Sequence, residues 1–254
     1  MQLELRNLTK QFGPKTVLRN VSLTAETGTC VGVVGRNGAG KSTLFNLLIN
    51  TLLPTSGQLL LDGVPLGETF PVAVKRRLGA LVNQAYLVEQ LTPEEYLQFV
   101  ARIYELPEAP ARIESLLAHL LEDYPAVRHK RLSSFSTGMK QKVAIAGCLL
   151  HRPELLILDE PFNGLDVFSA TSLLALLNSY RPQALTFISS HNLAHIEQVA
   201  THLLVLDESE VKYWGPLADF LHGERAVLGD TLLQLIQPAA PASTQDLSWL
   251  TTQR

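Results

Sequence analysis

Cysteine, tryptophan and long apolar runs are scarce in this chain of 254 residues, and each shortage excludes something. The two cysteines, Cys30 and Cys148, stand far apart inside apolar segments. That spacing provides neither the clustered pairs of a secreted disulfide scaffold nor a Cys/His zinc pattern, and it reads as a reducing compartment. Apolar runs such as Val143 to Leu150 and Leu155 to Leu158 stop far short of the roughly 18 residues of a membrane span. Any membrane role is therefore expected to come through a partner. The start, Met1-Gln2-Leu3-Glu4-Leu5-Arg6, alternates polar and apolar residues, unlike a secretion leader. Positive charge is also in short supply: 21 basic against 24 acidic residues give a net −3. The one compact basic cluster is Lys75-Arg76-Arg77, so no nucleic-acid partner is expected. What remains is 46% hydrophobic and 18% charged, with 16 Gly and 14 Pro, which excludes disorder, collagen and coiled coil. The length fits one large domain or two small ones.

Short strands are expected around Leu3 and Leu5, Val17 and Leu18, and Val21 and Leu23, forming a small N-terminal sheet. Cys30 to Val34 reads as a buried strand, followed by a glycine-rich turn from Gly35 to Gly40 and a helix from Ser42 to Ile49. Asp62-Gly63 between Leu59-Leu60-Leu61 and Val64 predicts a tight hairpin. Leu78 to Val82 reads as a strand, and Thr92 to Leu121 as helical. Thr92-Pro93-Glu94-Glu95 supplies a capping hydroxyl, a first-turn proline and a reciprocal Glu95. Tyr96, Val100, Ile103 and Tyr104 are predicted to share the buried face of that helix. Ile113, Leu116, Leu117, Leu120 and Leu121 do the same in a second helix, after a break at Pro107 to Pro110. Strands at Leu155 to Leu158 and Leu185 to Ile188, each followed by a helical pattern, give the βα alternation of a parallel sheet with helices on its faces. Leu203 to Leu206 and Val211 to Tyr213 close the sheet. Leu232 to Ile236 suggests a short helix, and Pro238 to Thr244 a flexible link to Leu247-Ser248-Trp249-Leu250.

Two motifs carry chemistry. Gly35-Arg36-Asn37-Gly38-Ala39-Gly40-Lys41-Ser42-Thr43 has the glycine spacing, lysine and hydroxyl of a phosphate-binding loop between a strand and a helix. Glycines let the backbone curl so that N–H groups converge on phosphate oxygens, and the helix start adds the positive end of its dipole. Lys41 is expected on the β and γ phosphates and Ser42 on Mg²⁺. Leu155-Leu156-Ile157-Leu158-Asp159-Glu160-Pro161 is a strand buried on both faces that delivers two acids to the ligand crevice. Asp159 suits Mg²⁺, and Glu160 suits activation of a water for attack on the γ phosphate.

Ser133-Ser134-Phe135-Ser136-Thr137-Gly138-Met139-Lys140-Gln141-Lys142, upstream of the acidic strand, resembles the signature segment of ATP-binding cassette (ABC) proteins. It departs from the usual Leu-Ser-Gly-Gly-Gln at Phe135, Thr137 and Met139, and keeps the Ser136 hydroxyl and Gly138. The resemblance covers about Met1 to Gly223. It implies an α/β fold: a P-loop NTPase core with a mainly parallel sheet, a small N-terminal antiparallel β-subdomain and a helical subdomain inserted at about 85–150. Residues 224–254 remain as a C-terminal tail.

The resemblance further implies ATP and Mg²⁺ as cofactors, with hydrolysis in a nucleotide-sandwiched homodimer or heterodimer. Each site would then be completed by Ser136 and Gly138 of the other subunit. Gln84 resembles the glutamine that meets Mg²⁺ or the attacking water. Asn163-Gly164-Leu165-Asp166 looks like the loop that crosses the dimer interface, His191 like the switch histidine at the γ phosphate, and Phe12 like the aromatic that stacks on adenine. A core role is the competing reading of Phe12, and His195 reads as surface or packing. The implied partners are transmembrane permease subunits, which would hold the chain on the inner face of the cell membrane, in the cytoplasm. The signature most resembles exporter ATPases. The alternatives are an importer ATPase, which often carries a regulatory domain, and a non-transport ABC ATPase, which usually has tandem cassettes or coiled-coil inserts. A binding module without chemistry is disfavoured because Lys41, Asp159, Glu160 and His191 are all present.

Overall fold

A computed structural model describes residues 1–82, 87–221 and 227–236. The chain opens with a hairpin of β1 (Gln2–Phe12) and β2 (Lys15–Glu26), then runs through β3 (Cys30–Gly35) and α1 (Lys41–Leu48). A second hairpin, β4 (Ser56–Leu61) and β5 (Val64–Pro65), leads through the single turn α2 (Val72–Lys75) to β6 (Leu78–Leu81). Next come α3 (Pro93–Ile103), α4 (Ala109–Leu120), α5 (Tyr124–Val127) and α6 (Thr137–Leu149). The second half alternates β7 (Leu155–Leu158), α7 (Val167–Tyr180), β8 (Leu185–Ser189) and α8 (Leu193–Val199). It ends with the hairpin β9 (His202–Asp207) and β10 (Glu210–Pro216), then α9 (Leu217–Phe220) and α10 (Leu228–Leu235).

Among the described residues these strands form two sheets, in the orders β2-β1-β4-β5 and β10-β9-β3-β8-β7-β6. The first is antiparallel throughout; the second is parallel except for the β9–β10 pair. The side-chain period of two divides the central strands between two cores. Val31, Val33, Leu155, Ile157 and Phe187 face the antiparallel sheet and α1, whereas Cys30, Val34, Leu156, Leu158 and Ile188 face the helices. Burial on both faces explains why these strands read as unbroken apolar runs. Desolvation also pushes up to about 12 the thiols of Cys30 in β3 and of the half-buried Cys148 in α6, so both stay protonated. Among the described residues no helix is long and apolar enough to cross a membrane.

Two expectations need correction. The N-terminal strands are not short: β1 and β2 run 11 and 12 residues, and their pairing is interrupted by register shifts of the bulge kind. The buried stripe of α3 is Pro93, Leu97 and Ala101, flanked by the half-buried Tyr96 and Val100, and Ile103 is exposed. Ile103 lies one turn beyond the exposed Phe99, on the outer face. Tyr104 stacks on His151, with ring centroids 3.8 Å apart. The capping box that opens α3 is formed: Glu95 N–H donates to Thr92 Oγ1 at 3.3 Å and Thr92 N–H donates to Glu95 Oε2 at 2.8 Å. Thr92→Ala is expected to cost about 1 kcal/mol, read as a lower urea midpoint with an unchanged m value.

The basic cluster is largely spent internally, Arg76 on Glu105 and Arg77 on both Asp62 and Glu154. The expected boundary at residues 223 and 224, the link from Pro238 and the segment at Trp249 lie outside the described residues. α10 is seated by Leu228 and Leu232, and by Leu228 N–H donating to Glu197 Oε1 at 2.7 Å.

Candidate active site

The central strands set the geometry. β3 delivers the glycine-rich loop, β7 the two acids and β8 the segment ending at His191, all at the carboxyl edge of one sheet. In the loop, Gly38 has φ +82° and Gly40 φ +105°, and a Cβ on Gly40 would stand 2.8 Å from the Val17 carbonyl oxygen. Glycine is required there. Gly40 is also the N-cap of α1 and carries no side-chain cap, so the first-turn N–H groups keep their donor capacity for an anion. Lys41 Nζ donates to the carbonyls of Gly35 at 2.7 Å and Arg36 at 3.2 Å. Burial lowers its pKa, opposed by the carboxylates of Glu160 and Asp159.

The loop borders a cavity of about 470 Å³ whose walls include Asn37, Gly38, Gly40, Lys41, Ser42 and Thr43, with Asp159 and Glu160 opposite. Lys15, Val17 and Asn163 line it as well. Lys15 and Val17 escape sequence reading because they belong to no motif; the β1–β2 hairpin brings them in. Ser42 Oγ donates to Asp159 Oδ2 at 2.7 Å, although the two residues are 117 positions apart. Ser189 ties the acids together: its Oγ donates to Asp159 Oδ1 at 2.6 Å and accepts from Glu160 N–H at 2.9 Å. Nothing singled out Ser189 beforehand, and its only signal is a hydroxyl ending an apolar strand.

Glu160 takes φ +51°, a conformation that residues with side chains seldom adopt away from functional sites. Its Oε2 accepts from His191 N–H at 3.1 Å and lies 2.9 Å from His191 Nδ1. An ionised carboxylate puts the imidazole proton on Nδ1 and leaves Nε2 free. Gln141 reaches back from α6 to donate to the Glu160 and Pro161 carbonyls at 3.4 and 3.3 Å. The signature segment is thereby joined to the acids from behind. Ser136 caps α6, accepting from Met139 N–H at 3.2 Å, and Gly138 packs so closely on the following loop that a Cβ would stand 2.3 Å from Gly164 O.

Some expected residues lie elsewhere. Ser136 and Gly138 do not line the cavity of their own chain, and Ala39 is buried behind the loop. The Arg36 side chain turns away from the cavity: a guanidinium N–H donates to Ile236 O, and Nε is 3.9 Å from Asp207 Oδ1. Its carbonyl accepts from Lys41 Nζ, and Arg36 does not line the phosphate cavity. Phe12 is 47% exposed at the end of β1 with Lys10 Nζ 5.0 Å from its ring centroid, so it is not a core residue. His195 packs on Phe162 at 4.3 Å between ring centroids, and burial lowers its pKa. Gln84 lies outside the described residues.

The hydroxyl of Ser42 and the carboxylate of Asp159 fit a hard divalent cation that takes its other ligands from phosphate and water. Among the described residues no group of three His, Cys, Asp or Glu side chains is placed to hold a metal ion by itself.

Comparison with known proteins gives a consistent result. A family model described as ABC transporter matches residues 18–163. The ABC transporter ATP-binding protein NatA of Bacillus subtilis is 35% identical over 214 residues, which is 82% of this chain and 85% of that protein. The bacitracin transport ATP-binding protein BcrA of Enterococcus faecalis is 35% identical over 213 residues, 82% of this chain and 67% of that protein. A solved structure of an ATP-binding subunit of an ABC transporter superposes with TM-score 0.82 at 32% identity, covering 92% of this chain and 99% of the other.

Proposed function

The chain belongs to the ABC transporter family as an ATP-binding ATPase subunit, and from that premise we propose that it powers solute export through separate transmembrane permease subunits. The observation that carries this reading is the convergence of Lys41, the Ser42–Asp159 hydrogen bond and the His191-held Glu160 on one glycine-cradled cavity. The loop N–H groups and Lys41 take the phosphate oxygens, Lys41 exchanging the carbonyls of Gly35 and Arg36 for the β and γ phosphates. Ser42 and Asp159 would hold Mg²⁺, with Gln84 expected as a further contact from the resemblance alone, and the ion would supply neutralisation of phosphate charge. Ser189 fixes the Asp159 carboxylate for that task. Glu160 accepts a proton from the attacking water, and His191 holds the accepting carboxylate in place from Nδ1.

Phe12 offers its exposed ring to adenine. Ser136 and Gly138 lie away from their own cavity, which supports their serving the site of a second chain in a head-to-tail pair, homomeric or heteromeric. Closure of that pair moves the helical insert and the Gln84 region against the permease, with the ATPase peripheral on the cytoplasmic face. The catalytic domain is taken to span 1–223, with 224–254 as an appended tail. The bacitracin-transport relative and the altered signature support export.

The test is nucleotide binding and phosphate release by the purified full-length chain. Saturable ATP binding is expected, with phosphate release that requires Mg²⁺ and stops in excess EDTA. A chain that binds no nucleotide with or without Mg²⁺ would overturn the assignment.

A further inference from the structure

Glu160 holds a backbone conformation that its neighbour in sequence opposes. Its φ is +51° and the next residue is Pro161, whereas a residue before proline ordinarily takes extended angles. Such backbone persists only where the surroundings over-determine it, and here each polar group of Glu160 is held. Its carbonyl accepts from Asn163 N–H at 3.2 Å and from Gln141 Nε2 at 3.4 Å, and its carboxylate is held by His191. Its N–H donates to Ser189 Oγ at 2.9 Å, the only partner of that group among the described residues.

Ser189 is built to hold it firmly. It ends β8 between β3 and β7, is paired in register with Val33 and is fully buried, so no solvent stands in for its hydroxyl. It does not line the phosphate cavity. A backbone N–H can only donate, so Ser189 Oγ accepts there and its single proton goes to Asp159 Oδ1 at 2.6 Å. The direction of the chain from Glu160 N–H through Ser189 to Asp159 is thereby fixed, and each bond polarises the next. The other oxygen of Asp159 accepts from Ser42, which has a second duty as an expected ligand of the ion; Ser189 has no such duty.

We propose that Ser189 is a positioning residue for hydrolysis: its buried hydroxyl holds Glu160 in the left-handed backbone that aims the carboxylate, and ties that backbone to the carboxylate of Asp159. This rests on the assignment of Glu160 to the attacking water made above. The two acids then behave as one unit, because a displacement of Asp159 is carried through Ser189 to the backbone of the base. Removing the hydroxyl leaves every phosphate contact in place and spoils only the aim of the base. The fault therefore falls on the chemical step and spares nucleotide binding.

The test uses the full-length chain at saturating Mg²⁺. Ser189→Ala is expected to lower kcat for phosphate release about 10–10²-fold, the scale of a misplaced reacting group. Isothermal titration should still give one ATP per chain at an affinity within about threefold of the parent, which a merely misfolded chain would not. Ser189→Thr keeps the hydroxyl on a strand position that favours β-branching and is expected to retain kcat. In a Glu160→Gln background, Ser189→Ala should lower single-turnover release by less than about threefold further, since the group it positions is gone. An alanine variant that turns over like the parent, or a threonine variant that binds ATP fully yet is as slow as alanine, would overturn the proposal. So would an undiminished effect of Ser189→Ala in the Glu160→Gln background, which would leave the assignment of Glu160 standing. Near-parental release from Glu160→Gln alone would instead remove that assignment, and the proposal with it.

Discussion

Glu160→Gln is expected to lower steady-state phosphate release by a factor of about 10²–10⁴, the usual contribution of a positioned general base, while leaving ATP affinity nearly unchanged. The asymmetry follows from what the amide keeps and what it loses. Its carbonyl oxygen can still accept from the His191 backbone N–H and from Nδ1, the two contacts that now hold Oε2. The Glu160 N–H to Ser189 bond and the Gln141 contacts to the Glu160 and Pro161 carbonyls involve no side-chain atom of Glu160. The loop, Lys41 and the Ser42–Asp159 pair are therefore undisturbed, and nucleotide binds as before. An amide cannot take a proton from water, so the in-line attack loses its base. Phosphate release measured alongside equilibrium nucleotide binding separates the two effects. Near-normal release from this variant would show that another group removes the proton.

The parts of this site legible in the sequence are those made by contiguous residues. The loop from Gly35 to Thr43 and the run Leu155 to Glu160 each carry strand, turn and functional group within one short segment, so position along the chain already fixes position in space. The Asp62-Gly63 hairpin was equally local: both residues take positive φ, as a tight hairpin turn demands. What escaped is what only tertiary packing decides. Ser189 is one hydroxyl at the end of one strand until β8 pairs with β7 and places it between Asp159 and Glu160. Arg36 sits inside the motif, yet its side chain answers to Asp207 and the end of α10 rather than to the phosphate side. The face of α3 was misjudged for the same reason. Ile103 is more apolar than Ala101, but the i, i+4 stripe of Pro93, Leu97 and Ala101 is the one that joins the core, and Ile103 falls with Phe99 outside it.

Lys41→Ala is expected to weaken ATP binding by roughly 10²–10⁴-fold, since an ammonium on two phosphates forfeits two charge-assisted hydrogen bonds of about 1.5–3 kcal/mol each. The resting structure shows why Lys41 is worth more than one surface cation. Its Nζ is held between the carbonyls of Gly35 and Arg36, so the ammonium waits at the phosphate cavity already ordered and little conformational entropy is lost on binding. Burial works against the charge and lowers its pKa, while Asp159 and Glu160 favour it. The ammonium thus sits at the phosphate loop with both acids favouring its charge, so the loss should exceed that of a mutation at the cavity rim such as Lys15→Ala. Lys41→Arg should not restore affinity, because a planar guanidinium fork cannot point one compact charge at two phosphates as the ammonium does. Isothermal titration of ATP into each variant reads the affinity, and thermal unfolding of the same samples separates it from misfolding. An alanine variant that unfolds like the parent and binds ATP within threefold of it would place the phosphates somewhere other than the glycine loop.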